Sequence, residues 1–252
     1  MTVSAAYIFF ILLLIRLVFQ WNDKTAGLIK NLMMLTIEFL LIMLFVKVNF
    51  VIFILFLIIY HFIVYLTEKK MSFSGIYSAR IIQVSVMLIL FSFSGAYQSG
   101  LNDFYCYAFN FLQRNNVFFT NIHSGISSIF LTVACGFLFS INEINNLIRL
   151  VLKTLNVEPV KKKNLSKGKF EIVLNKVEFN RGKIIGILER VLIYFFVITG
   201  YFASIGFIIA AKAFARFKEL DDQDFAEYVL IGTLLSTSLS VFIGFFINLL
   251  IN

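Results

Sequence analysis

The chain has 252 residues, a formal net charge of +8, one proline and a composition that is 60% hydrophobic. Soluble domains hold about 45–50% apolar residues, so this composition excludes an ordinary soluble domain. Its long uninterrupted apolar runs also exclude a transmembrane β-barrel, whose strands alternate apolar and polar residues. We therefore expect an all-α protein, a polytopic bundle of membrane helices.

Seven apolar runs are candidates for transmembrane helices, because a helix needs about 20 apolar residues to cross the hydrocarbon core. They fall at residues 3–20, 31–46, 48–66, 81–97, 124–140, 191–211 and 228–250. The second and third runs meet at Lys47, Val48 and Asn49, which predicts a tight hairpin, since one continuous helix would be too long for a bilayer. The first run lacks a cleavage site for a secretory signal, and we interpret it as a helix of the mature protein.

Basic residues set the expected orientation of these helices. Alternating the loops between the two sides places 17 of the 22 Lys and Arg residues on one side. Because basic loops stay in the cytoplasm, we expect the N-terminus outside and the C-terminus inside. The expected parts are an N-terminal membrane bundle at 1–140, a basic cytoplasmic segment at 141–183 and a two-helix membrane hairpin at 184–252.

Two connections have a distinctive composition. Residues 101–123 are rich in Phe and Tyr, which favours an interfacial segment on the outer face, with a substrate-gating loop as the alternative. Residues 141–155 carry an apolar stripe that predicts an amphipathic helix along the inner surface. A basic run follows, which either sets the topology or binds anionic lipid: Lys161, Lys162, Lys163, Lys167 and Lys169.

Ionisable residues inside the runs need a partner or a function, because each costs about 2.5–3.5 kcal/mol on insertion scales. Arg16 and Glu38 lie in the first two runs, and antiparallel packing predicts an intramembrane ion pair between them. A proton or cation pathway is the alternative.

Charged residues also flank the sixth run. Glu189 and Arg190 begin it, and Lys212 and Arg216 follow its other end, with Glu227 beyond them. A straight helix would separate Glu189 from Lys212 by about 35 Å, on opposite faces of the membrane. We therefore expect Lys212 and Arg216 to pair with the acidic residues 221–227.

Small residues in the last two runs predict close helix packing, either within the chain or between copies in a homo-oligomer. These residues are Gly200, Ser204, Gly232, Ser236, Ser240 and Gly244. Gly200 is also a candidate helix break, since glycine weakens a helix, but packing is the favoured interpretation.

Metal and catalytic signatures are absent from the sequence. Its two histidines, His61 and His123, have no nearby cysteine or paired carboxylate, so a zinc site is poorly supported. The two cysteines, Cys106 and Cys135, are expected to be unpaired. No Gly-x-Ser-x-Gly elbow provides a hydrolase nucleophile, and we predict no cofactor.

Three sequence segments near the C-terminus are GKIIGILER, IGFIIAAKAFARF and FAEYVLIGTLLS. Through them, residues 182–244 resemble a family of uncharacterised multi-pass bacterial membrane proteins. The resemblance implies a bacterial inner-membrane location. The motif positions are Glu189, Arg190, Lys212, Arg216, Phe217, Glu227, Gly232 and Thr233. The family has no activity to carry over, and of the His, Asp and Gln in its first helix this chain keeps only Gln20.

These observations favour a non-enzymatic component of the membrane that is channel-like, pore-like or signal-transmitting. A secondary transporter is one alternative, although the chain shows no repeat. An enzyme acting on a lipid is another, with Glu227 as base and Lys212 and Arg216 binding an anion. Membrane lipids are the expected partners, a cytoplasmic protein at 141–183 is left open, and nucleic acid is disfavoured.

Overall fold

The computed structural model describes residues 3–21, 27–70, 75–92, 100–103, 106–107, 110, 124–155, 176–215, 217 and 223–251. The helices in this part of the chain are α1 Val3–Gln20, α2 Leu28–Phe45, α3 Phe50–Lys70, α4 Ile76–Ser92, α5 Ser124–Thr154, α6 Lys176–Thr199, α7 Ala203–Ala215 and α8 Gln223–Ile251. Two short strands, β1 Val46–Lys47 and β2 Gly100–Leu101, pair antiparallel.

The expected all-helical architecture is confirmed, and five helices in the described part of the chain are long and apolar enough to cross a membrane. They are α1, α2, α3, α5 and α8. The apolar helices α4 and α7 are shorter, with 17 and 13 residues. The structure therefore supports a membrane protein but not seven full-length spans.

The predicted hairpin between the second and third runs is confirmed. α2 ends at Phe45 and α3 begins at Phe50, with β1 between them. β1 pairs with β2, and the exposed Lys47 Nζ lies 2.9 Å from Asp103 Oδ1 in the segment after β2. The β1–β2 pairing and the Lys47–Asp103 contact therefore stabilise the short turn between α2 and α3.

The chain folds as two compact units, the first made of residues 1–146 and 249–252 and the second of residues 147–248. In the first unit, the Tyr7 and Phe45 rings lie 5.0 Å apart, so the start of α1 meets the end of α2. The Cys135 thiol lies 3.5 Å from the Ala6 carbonyl oxygen, and Arg16 contacts Glu143, so α5 runs parallel to α1.

The predicted boundary at residue 140 lies inside a continuous helix. α5 extends without a break from Ser124 to Thr154, so residues 141–155 do not form a separate helix along the inner surface. The amphipathic pattern itself is real, but its polar residues Asn142, Glu143 and Asn146 are buried in the first unit. They face buried polar partners there and not water.

In the second unit, the chain reverses at Gly200. The Gly200 φ is 79°, a left-handed value that glycine adopts without a Cβ clash. The Tyr201 amide donates to the Phe196 carbonyl and the Gly200 amide to the Val197 carbonyl, which is the Schellman pattern of a helix end. The prediction of one straight span over 191–211 is therefore wrong. The expected alternation of loops between the two sides of the membrane counted this segment as one crossing.

The small residues of the last two runs have different roles. A Cβ at Gly244 would lie 2.6 Å from Val197 Cγ1, so this glycine permits close approach of α8 to α6. A Cβ at Gly200 or Gly232 would meet nothing within 4 Å, so Gly200 is a turn residue and not a packing contact. Ser204 lies in the first turn of α7. Ser236 and Ser240 are buried, and Ser240 Oγ donates to the Ser236 carbonyl at 2.9 Å.

Candidate functional site

The first unit buries a cluster of ionisable side chains contributed by α1, α2, α3, α4 and α5. Six of them are at most 3% exposed: Arg16, Glu38, His61, Glu68, Arg80 and Glu143. Burial of an unpaired charge is costly, so these groups require partners. Their partners are one another and a set of buried amides and hydroxyls.

Arg16 is the centre of this cluster. Its Nε donates to Glu143 Oε1 at 2.9 Å and its Nη2 to Glu143 Oε2 at 3.3 Å, forming a bidentate pair. Nη1 donates to the Tyr60 hydroxyl at 2.8 Å and to Gln83 Oε1 at 3.3 Å, and Nη2 also donates to the Arg80 carbonyl. A guanidinium has five N–H donors, so Arg16 is fully satisfied while joining α1 to α3, α4 and α5.

Two asparagine side chains on α5 also donate hydrogen bonds to the Glu143 carboxylate. Asn142 Nδ2 donates to Glu143 Oε1 at 2.9 Å, and Asn146 Nδ2 donates to Oε2 at 3.5 Å. Arg80 Nη1 donates to Asn146 Oδ1 at 3.4 Å, which links the second guanidinium to the same carboxylate. Both carboxylate oxygens of Glu143 therefore accept hydrogen bonds from a guanidinium and an amide.

Gln83 extends the cluster toward the ends of α1 and α3. Its Oε1 accepts from Gln20 Nε2 at 3.0 Å, and its Nε2 donates to Thr67 Oγ1 at 3.0 Å and to Glu68 Oε1 at 3.4 Å. Gln20 is the last residue of α1, so the polar network reaches the end of the bundle where α1 ends and α2 begins. We call this the polar end, and the end that carries β1 the apolar end.

His61 joins Asn31 to Glu38 across α2 and α3. His61 Nδ1 lies 2.8 Å from Asn31 Oδ1, and His61 Nε2 lies 2.8 Å from Glu38 Oε2. Asn31 Nδ2 donates to the His61 backbone carbonyl at 2.9 Å, which fixes the orientation of the Asn31 amide because a carbonyl can only accept. Asn31 Oδ1 therefore faces the ring as an acceptor, and His61 Nδ1 must carry a proton.

The expected direct ion pair between Arg16 and Glu38 does not form. Both residues lie in the same buried cluster, close enough for electrostatic attraction. Arg16 pairs with Glu143, however, and Glu38 pairs with His61. The second carboxylate oxygen of Glu38, Oε1, is buried and accepts no hydrogen bond from the described residues.

Glu189 and Lys212, which a straight helix would hold on opposite faces, are in direct contact. Lys212 Nζ donates to Glu189 Oε2 at 2.5 Å because the reversal at Gly200 returns α7 along α6. The predicted 35 Å separation is therefore wrong. Arg190 is buried and lies within electrostatic range of Glu189, whereas Glu227 is exposed.

Several predicted site residues lie outside the described part of the chain. They are Arg216 and the basic run Lys161, Lys162, Lys163, Lys167 and Lys169. Within the described ranges, no group of three His, Cys, Asp or Glu side chains is arranged to hold a metal ion.

Sequence reasoning missed most members of the buried cluster. It identified Arg16 and Glu38, but it left His61 without a paired carboxylate and placed residues 141–155 on a helix along the inner membrane surface. One available signal was the density of side-chain amides and carboxylates at 142–146, directly after an apolar run. A polar stripe on a helix can face water, but it can equally face charged residues on neighbouring helices inside a membrane bundle.

Comparisons of the chain with protein-family models, with curated proteins and with solved structures find no match. The resemblance of residues 182–244 to a bacterial membrane family stays a prediction.

Proposed function

We propose that this chain is a membrane protein that binds and releases a proton inside its helical bundle, at the Glu38–His61 pair. The 2.8 Å bond between His61 Nε2 and Glu38 Oε2 carries this proposal. With a proton on Nδ1, the Nε2 of a neutral imidazole offers only a lone pair, and so does an ionised carboxylate. Two acceptors do not hydrogen-bond, so one proton must lie between these atoms.

The charges of the surrounding cluster fit a pair that holds one proton. Arg16 and Arg80 contribute two positive charges, and Glu68 and Glu143 contribute two negative charges. With its proton, the Glu38–His61 pair is neutral overall, whichever of the two atoms carries it. Without the proton, the buried cluster has one uncompensated negative charge, which is costly in a low-dielectric site.

Release of the proton also has a mechanical consequence. Nε2 and Oε2 would then face each other as two acceptors at hydrogen-bond distance, and their repulsion favours separation of α2 from α3 at this level. Protonation and helix packing are therefore coupled, which is the property expected of a proton-linked transporter or a signal-transmitting membrane protein.

This proposal favours the non-enzymatic class over an enzyme acting on a lipid. The enzyme hypothesis needs Lys212 to bind an anion and Glu227 to act as a base near it. Lys212 instead pairs with Glu189, and Glu227 is exposed, so neither is arranged as a buried acid–base site. A pore at the charged C-terminal hairpin stays a prediction.

The proposal is tested by locating the proton. The chain has two histidines, so the His123→Gln variant leaves His61 as the single histidine reporter. In bilayers, nitrogen NMR of this histidine and infrared spectra of the Glu38 carboxyl should together account for one proton on Nδ1 and one shared by Nε2 and Oε2. Raising the pH should remove the shared proton reversibly.

Two matched variants complete the test. Glu38→Gln should abolish the titration, whereas Glu227→Gln makes the same substitution on an exposed carboxylate and should preserve it. The proposal is wrong if Nε2 and Glu38 are both unprotonated at neutral pH. It is also wrong if the pair never titrates over the pH range in which the protein stays folded, because the pair would then be only structural.

The membrane and the orientation that we propose for this protein are those expected from its sequence. We propose a bacterial cytoplasmic membrane with the N-terminus outside, which places the polar end of the bundle on the cytoplasmic side. Lipids surround the helices, and exposed apolar residues are numerous on α2, α3 and α8. A homo-oligomer and a cytoplasmic protein partner at 141–183 stay predictions.

A further inference from the structure

We infer that the proton of the Glu38–His61 pair exchanges with one side of the membrane only, the side of the polar end. This inference rests on the proposed proton site and adds the direction of its access. It makes the site a sensor of the pH on that side and not part of a conducting pore. Buried polar groups are distributed unevenly along the bundle.

Two sets of polar groups lie between the pair and the polar end, one bonded to His61 and one bonded to Arg16. Asn31, bonded to His61, is three residues from the start of α2. Tyr60, next to His61 in the chain, bonds to Arg16, and Arg16 bonds to Gln83. Gln83 reaches Gln20 and Glu68 near the ends of α1 and α3. Exchangeable protons and charges are therefore available over this whole distance.

An apolar layer lies between the pair and the apolar end. Val46 on β1, directly after α2, and Phe53 on α3 are each eight residues from Glu38 and His61, or about 12 Å along a helix. The buried side chains in this layer include Ile8, Leu12, Ile42, Val46, Phe53, Leu57, Met87 and Leu138.

No Asp, Glu, Lys, Arg or His is buried in this layer among the described residues. The buried hydroxyls there belong to Ser4, Thr132 and Ser140. Thr132 Oγ1 donates to the Ser128 carbonyl of its own helix. A proton has no relay through packed apolar side chains, because charge transfer into such a region is costly.

Ionisable groups near the pair come from the helices packed around it. Arg16 on α1 and Tyr60 on α3 lie within electrostatic range of Glu38, and the rest of the buried cluster adds Glu68 on α3, Arg80 on α4 and Glu143 on α5. Lys30 on α2 lies within electrostatic range of Glu68 and Arg80. Glu68 and Glu143 match the charges of the two arginines, and the partly buried Lys30 adds one positive charge near the start of α2. In the proposed site, the Glu38–His61 pair is the group that loses the proton.

The inference is tested in liposomes that hold the protein in one orientation. Trp21, the single tryptophan, directly follows Gln20 at the polar end and is the fluorescent reporter. A pH step on the polar-end side should change its fluorescence at once. The same step on the opposite side should change it only after a protonophore is added. Glu38→Gln should remove both responses, and Glu227→Gln should remove neither.

The outcomes separate this inference from the proposed function. A response to either side without protonophore, or a proton flux above that of protein-free liposomes, overturns one-sided access but leaves the proton site intact. A Glu38-dependent response confined to the apolar-end side overturns the inferred direction. Absence of any response even with protonophore, together with no titration of His61 by NMR, overturns both.

Discussion

Replacement of Arg16 by methionine should destabilise the protein more than any substitution of an exposed charge. Arg16 is fully buried and makes five hydrogen bonds, two of them to Glu143. Removing one partner of a buried ion pair costs about 3–5 kcal/mol, because the other charge stays buried without compensation. In Arg16→Met, Glu143 would keep only the amides of Asn142 and Asn146.

A double substitution separates the cost of the orphaned charge from the cost of lost packing. Arg16→Met combined with Glu143→Gln removes both charges, and the single carbonyl oxygen of the glutamine still accepts from one of the two asparagines. We expect the double variant to recover part of the loss, so that the two changes are strongly non-additive. Lys47→Met, which breaks the exposed contact with Asp103, is the matched control and should have little effect.

The assay is equilibrium unfolding in detergent or bilayers, followed by the helical signal, for the wild type, both single variants and the double variant. The reasoning is refuted if Arg16→Met unfolds like the control. It is also refuted if the two single effects simply add, because Arg16 and Glu143 would then not share a buried pair.

Three further predictions concern the second half of the chain. Gly200→Val should destabilise the α6–α7 turn by about 1–2 kcal/mol or more, because a left-handed φ disfavours a Cβ, whereas Gly200→Asn should be better tolerated in the same unfolding assay. Gly244→Leu should weaken the contact with Val197 and lower thermal stability, while Gly232→Ala should not, since a Cβ at residue 232 would meet no atom within 4 Å. The C-terminus should lie on the same side of the membrane as the N-terminus. Residues 191–211 turn back on themselves and do not cross the membrane as one span. In addition, Leu250 and Ile251 line a small cavity with residues 128–132 at the start of α5, within the first unit. Reporter fusions at the two ends test this, and labelling of the ends from opposite sides would contradict it.

The class of this protein and most of its helices follow from the sequence, because hydropathy is a local property. Residues 3–20 and 48–66 are apolar over the length of a bilayer, whatever lies next to them. The turn at residues 46–49 is likewise local, since a longer helix would not fit. The amphipathic pattern of residues 141–155 is also visible in the sequence, although periodicity alone assigns its polar face to water.

The partners of the buried charges were decided by the tertiary structure alone. Arg16 could meet Glu38 on the next helix, but the rotation of the helices presents it to Glu143, 127 residues away. Spacing along a helix gives the face on which a residue lies but not which neighbouring helix that face meets. The reversal at Gly200 was equally undecided, because glycine permits both a close packing contact and a left-handed turn, and only the return of Lys212 to Glu189 distinguishes them.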